Sequence, residues 1–94
     1  MSDMIQQAVS ELNRKTGGSF DGSAKFVVAD EGTIMLDGEG ARAADEDAEV
    51  TLTADSDTFR EIFEGSLDPT SAFMSGRLKI DGDMGQAMKL ASTL

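Results

Sequence analysis

The chain has 94 residues, which is one domain's worth, and folding buries about two-thirds of the surface that such a chain exposes when unfolded. Eighteen acidic against eight basic residues give a net charge of −10. That excess argues against nucleic acid, whose phosphates call for clustered Lys and Arg, and against tight docking on an anionic membrane. Cysteine, histidine, tryptophan and tyrosine are absent, which rules out disulfides, thiolate nucleophiles, His-based triads and the usual zinc sites.

Ser2 to Lys15 reads as a first helix, because Ile5, Ala8, Val9 and Leu12 fall on one stripe at i, i+3, i+4, i+7. Ser2 or Asp3 can cap its start, Arg14 and Lys15 suit the negative end of its dipole, and Gly17-Gly18 ends the run. Ala24 to Ala29 is short and rich in strand formers. A turn signal at Asp30-Glu31-Gly32 and a second run, Thr33 to Leu36, complete a hairpin. Another turn, Asp37 to Gly40, leads to a weak third strand at Ala41 to Ala44. Glu49 to Ala54 alternates with period two, as a strand with one wet face does.

Asp55-Ser56-Asp57 then offers helix caps, and Thr58 to Glu64 carries Phe59, Ile62 and Phe63 on one face before Gly65. Asp68-Pro69 fits the start of a short helix that runs to Met74 and stops by Gly76. Arg77 to Ile80 reads as a last strand and Asp81-Gly82-Asp83 as a turn. Met84 to Leu94 is a final helix with Met84, Ala87, Met88 and Ala91 on one side. The order is helix, antiparallel meander, two short helices, strand, helix, with no repeat or linker. It predicts a single α+β domain over residues 1–94, its helices covering one face of a mostly antiparallel sheet.

Motifs that carry chemistry are missing. There is no G-x-S-x-G elbow, S-x-x-K pair, P-loop or G-x-G-x-x-G. Asp81-Gly82-Asp83 starts like a calcium loop but lacks the glycine at position six and the glutamate at position twelve, where Ser92 stands. The run Asp45-Glu46-Asp47, with Glu49 nearby, reads as a solvated turn. With so many carboxylates, chance neighbours are no sign of acid–base catalysis, so neither an enzyme nor a cofactor is expected. No segment nears the ~18 apolar residues of a membrane span, and Met1 to Gln6 lacks the basic and apolar stretches of a signal peptide. No stable membrane insertion is expected, and a cytoplasmic location is. The chain does hold Phe59, Phe63, Phe73, Met74, Met84 and Met88 within its second half. At helical spacing these first of all suggest a core stripe; methionine also suits surfaces that bind varied apolar partners.

Leu67 to Leu90 reads L-D-P-T-S-A-F-M-S-G-R-L-K-I-D-G-D-M-G-Q-A-M-K-L. This resembles the signature of the sterol carrier protein type 2 family. The matching elements are Pro69, Ser71-Ala72-Phe73, Gly76, Leu78-Lys79-Ile80, Gly82, Met84-Gly85 and Ala87-Met88-Lys89-Leu90. Thr51-Leu52-Thr53 and Ala54 to Asp57 match the strand that leads into a helix upstream. The resemblance runs almost without a gap from Ala48 to Leu90, while the N-terminal half is similar only in its pattern of helix, Gly-Gly and hairpin.

The resemblance implies a five-stranded sheet with an apolar tunnel between sheet and helices. It also implies non-catalytic binding or transfer of fatty acids, fatty acyl-CoAs, phospholipids or sterol-like ligands. Longer members continue beyond this point and often end in a peroxisomal tripeptide. Set beside those longer members, the ending Ser92-Thr93-Leu94 is expected to mark a stand-alone, bacterial-type member without a peroxisomal signal and without the segment that helps close the tunnel. The expected lining is Met35 from the sheet with Phe59, Ile62, Phe63, Phe73, Met74, Met84 and Met88 from the helices. Lys79 and Lys89 are candidates for a carboxylate or phosphate head group. The expected partner is an apolar lipid bound by a monomer, and a lipid-metabolising enzyme is the protein partner considered. Two other readings stay open. A dimerisation or protein-interaction module predicts a large exposed apolar patch and no internal cavity. An accessory domain would present substrate to a separate enzyme.

Overall fold

The computed structural model describes residues 3–94. Helix α1 (Asp3–Thr16) is followed by β1 (Ala24–Val28), β2 (Gly32–Asp37), β3 (Gly40–Ala43) and β4 (Val50–Ala54). Then come α2 (Ser56–Glu64), α3 (Pro69–Met74), β5 (Lys79–Gly82) and α4 (Met84–Thr93). Ser2, one of the two expected caps of α1, lies outside the described residues. Among the described residues no helix is long and apolar enough to cross a membrane.

The five strands lie in the order β3-β2-β1-β4-β5. Neighbours are antiparallel except β1 and β4, which run parallel from Ala24↔Val50 to Val28↔Ala54. The expected meander therefore stops at β3. The connection after β3 is tied to the outer face of the sheet by Lys25–Asp45 at 3.0 Å and Arg42–Glu46 at 3.3 Å. It carries the chain past β2 to the free side of β1. Asp45 and Glu46, read from sequence as a solvated turn, are exposed there and make these two pairs along the crossing.

Strand β5 begins two residues later than the sequence pattern suggests. Arg77 and Leu78 donate their backbone N–H groups to the Ala72 carbonyl, at 2.9 and 3.1 Å, and so close α3. Asp81 and Gly82 extend the strand in place of a turn.

Strand alternation sets the core. Ala24, Phe26, Val28, Ile34, Leu36, Val50 and Leu52 face the helices and are buried with Ile5, Ala8 and Leu12 of α1 and Phe59, Ile62 and Phe63 of α2. Alanine and leucine, Ala72 from α3 with Ala87 and Leu90 from α4, complete the helical side. The aromatic part of the core lies where α2 meets the central strand β1. Phe26 meets Phe59 edge-on with ring centroids 5.7 Å apart, and Phe59 stacks on Phe63 at 5.8 Å. Burying each such ring contributes about 1.5–3 kcal/mol.

Polar side chains close the ends of the elements. Asn13 accepts a hydrogen bond from Ala41 N–H at 2.8 Å and donates to its carbonyl at 3.2 Å, so the edge strand β3 is paired by a helix side chain. Asp55 caps α2 by accepting from Thr58 N–H at 2.8 Å, and Gly65 at φ 84° ends it.

Candidate functional site

The segment from Asp68 to Leu94 forms one unit at the β5 edge of the sheet. Asp68 caps α3 through Ser71 N–H at 3.1 Å, with Pro69 in the first turn. Asp83 caps α4 through Gly85 N–H at 2.8 Å and Gln86 N–H at 3.2 Å. Between them β5 pairs with β4 as Leu52↔Ile80 and Thr53↔Lys79. Gly82 at φ 108° makes the tight exit possible: a Cβ there would sit 2.4 Å from the Glu49 carbonyl oxygen.

This unit encloses a groove of about 270 Å³. Leu52, Leu78 and Ile80 border it from the sheet side, Pro69, Thr70, Phe73 and Met74 from α3, Met84, Ala87, Met88 and Ala91 from α4, and Leu94 from just after it. No lining residue carries a charged side chain, and the Thr70 hydroxyl is the one polar side-chain group among them. The groove stays open on one side. Phe73 is 40% exposed, Met84 50%, Met88 70% and Met74 78%.

The structure thus brings together four of the eight expected lining residues, Phe73, Met74, Met84 and Met88, and separates the others. Phe59 and Ile62 are packed into the solid core and do not border the groove, as is Phe63, whose remaining edge faces a different hollow. The reason is position: their stripe on α2 falls over Phe26 of the central strand β1, and α1 lies alongside. Met35 is buried at 1% exposure on the opposite face of the sheet. Ile34 and Leu36 point to the helices, so alternation turns Met35 away, opposite Lys25 and Arg42. Leu52, Leu78 and Ile80 were missed as lining, although the alternation of β4 already set Leu52 on the helix face.

The head-group candidates also point elsewhere. Lys79 stands next to Ile80 on β5 and so projects to the outer face. Lys89 donates to the Asp21 carbonyl at 3.0 Å, which holds it against the loop before β1. Neither lysine borders the groove.

A wider hollow of about 700 Å³ lies between α1 and α2. Gln6, Gln7, Ser10, Glu11, Arg14, Arg60 and Glu64 make it polar, with only Met4, Ala8 and Phe63 as apolar floor. Arg14 is paired with Glu11 and Arg60 with Asp57. It suits water better than an apolar ligand, so the smaller groove is the candidate site. Among the described residues no group of three or more acidic side chains is placed to hold a metal ion.

The class of structure is thus an α+β layer with an apolar groove, free of charged side chains, at its sheet edge. The model of the SCP-2 sterol transfer family matches residues 5–94, and the chain belongs to that family. Hydroxysteroid dehydrogenase-like protein 2 of Xenopus tropicalis is 39% identical over 102 aligned positions, covering 100% of this chain and 24% of that protein. Sterol carrier protein 2 of Rattus norvegicus is 39% identical over 99 positions, covering 94% of this chain and 17% of that protein. The chain therefore spans a quarter or less of the length of these relatives. Among solved structures, sterol carrier protein 2 from Aedes aegypti in complex with palmitate shares the fold at a TM-score of 0.78 and 18% identity, covering 100% of this chain and 99% of that one.

Proposed function

We propose that this chain binds the apolar part of a lipid in the groove between α3, α4 and the β4–β5 edge, without catalysis. Fatty acids, fatty acyl-CoAs, phospholipids and sterol-like molecules are the ligand classes. The observation that carries the reading is the groove's lining: hydrocarbon and thioether, broken only by the Thr70 hydroxyl, with no charged side chain. Membership of the family and the palmitate complex of its Aedes aegypti fold relative support it.

The free energy comes from removing the tail from water. A methylene needs about the room of a water molecule, so a groove of about 270 Å³ takes on the order of nine. At about 0.8 kcal/mol each this is roughly 7 kcal/mol gross, before immobilisation is subtracted. Micromolar binding needs about 8 kcal/mol net, so the open side must close over the ligand. Met74, Met84 and Met88 are suited to that, being unbranched and able to repack around different tails. Selection by a greasy wall is coarse: one methylene at about 0.8 kcal/mol changes affinity roughly fourfold, so a range of lipids is expected. With no cation at the groove, head groups contribute little.

Titration with a fluorescent fatty-acid analogue tests the proposal, together with native mass spectrometry of freshly purified protein to show co-purified lipid. Failure of fatty acid, acyl-CoA, phospholipid and sterol alike to associate would overturn it. The exposure of Met74 and Met88 also favours a second reading, a protein-interaction face. Sedimentation of the lipid-free chain separates the two, since that reading requires a stable oligomer or a protein partner. The long relatives support a third arrangement, in which such a domain presents its lipid to an attached enzyme.

A further inference from the structure

Among the described methionines, those that solvent reaches freely are the ones at the groove: Met74, Met84 and Met88. Met35 is shielded behind the sheet, and Met4 is partly buried against the core. The chain has no cysteine, tryptophan, tyrosine or histidine, so thioethers are its one readily oxidised side-chain type. Oxidation of methionine follows exposure and turns a flexible apolar group into a polar one. Here the chemistry is directed at the groove wall and away from the core.

We propose that Met74, Met84 and Met88 form a reversible oxidation site, at which a hydroperoxide oxidant converts the groove rim to sulfoxides and expels the bound lipid. This rests on the lipid-binding reading above. In the forward step the thioether sulfur attacks hydrogen peroxide, the O–O bond breaks and an S–O bond forms. Sulfur is oxidised by two electrons, and the second peroxide oxygen leaves as water. In the return step two thiols of a methionine sulfoxide reductase system reduce the sulfoxide. The oxygen leaves as water and the thiols become a disulfide. Release follows from the lining. A sulfoxide is a strong acceptor, and apart from the Thr70 hydroxyl the groove offers no side-chain donor. Water must solvate the new oxygen, and a bound tail would displace that water.

The test uses the full chain and a fluorescent fatty-acid analogue, measured before and after mild peroxide treatment. Peptide mass mapping is expected to show oxygen added at Met74, Met84 and Met88 ahead of Met35, more slowly when the analogue is bound. Affinity is expected to fall about tenfold or more while the far-ultraviolet melting curve holds, the cost of leaving one polar atom unpaired. Treatment with both epimer-specific sulfoxide reductases is expected to restore it. The triple variant M74L/M84L/M88L is expected to bind the analogue equally with and without peroxide. Unchanged affinity of the mapped, oxidised protein overturns the proposal, as does equal loss by the triple variant. Failure of untreated protein to bind any lipid is a different result: it removes the carrier reading, and lipid release with it.

Discussion

Two regions of one layer use the same residue types to opposite ends. On α2, Phe59, Ile62 and Phe63 sit at helical spacing and disappear into a ring cluster with Phe26, whose centroid lies 5.7 Å from that of Phe59 and 6.1 Å from that of Phe63. On α3 and α4, Phe73, Met74, Met84 and Met88 sit at similar spacing and remain exposed. What differs is the support beneath. α2 lies over the middle of the sheet beside α1. α3 and α4 lie at its edge, where β5 supplies four residues and then stops. A helical apolar stripe reports that a face is greasy; the elements that pack against it decide whether it becomes core or groove.

The largest expected effect breaks the closed region. Phe59→Ala should cost about 3–5 kcal/mol in urea unfolding, since the ring leaves a cavity that its neighbours cannot fill. Met74→Ala, by contrast, should change stability by less than about 1 kcal/mol, because most of that side chain already faces water. Equal costs for the two would erase the distinction between core and groove.

Met88→Asp probes the open region from the side of function. A carboxylate on the groove wall should reduce binding of a fluorescent fatty-acid analogue tenfold or more, about 1.4 kcal/mol, while the thermal transition stays within a few degrees. Gly82→Ala tests how the groove is held. Its Cβ would clash with the backbone of Glu49 and Val50, at a φ of 108° that alanine rarely adopts. A loss above about 1 kcal/mol is expected, with faster amide exchange in β5 than in β1. Asp83→Ala, which removes the cap of α4, should cost about 1 kcal/mol and be read by the same two measurements.

Much of the fold was legible because turn and cap chemistry is local. Asp68-Pro69, Gly65 and Gly76 set the limits of α2 and α3 where they are found, and the weak strand at Ala41 proved real. The unreadable parts depend on partners distant in sequence. The parallel return of β4 is a pairing with β1, from Ala24↔Val50 to Val28↔Ala54, between segments more than twenty residues apart that no local turn signal joins. The shift of β5 depends on Ala72 accepting two N–H groups after α3. At the site, the expectation of an internal tunnel gave way to an open groove for the same reason. Phe73, Met74, Met84 and Met88 could be placed from helical spacing, but Phe59, Ile62 and Phe63 have the same spacing and another neighbour. Met35 was misplaced because a strand's buried side was not yet assigned, and the alternation around Ile34 and Leu36 assigns it.

Acid separates the two regions most finely. Asp30 accepts from the Ser56 hydroxyl at 2.8 Å and the Ser56 N–H at 3.0 Å, which holds its carboxyl below the ordinary aspartate range. Asp37 is lowered by the Arg42 guanidinium at 3.0 Å and then by Glu39 N–H, and Asp55 by the Thr58 hydroxyl and N–H. Each carboxylate holds its proton more weakly folded than unfolded. Its contribution to stability is complete above about pH 4, the unfolded value, and is lost as pH falls through the lower folded values. None of these groups borders the groove, whose side chains do not titrate. With an uncharged fatty-alcohol probe, affinity should therefore stay flat from about pH 8 to pH 5, while urea midpoints decline only below about pH 4. Asp30→Asn should make that acid decline shallower and leave probe affinity unchanged. A probe affinity that follows the stability curve in acid would mean that groove and core open as one unit.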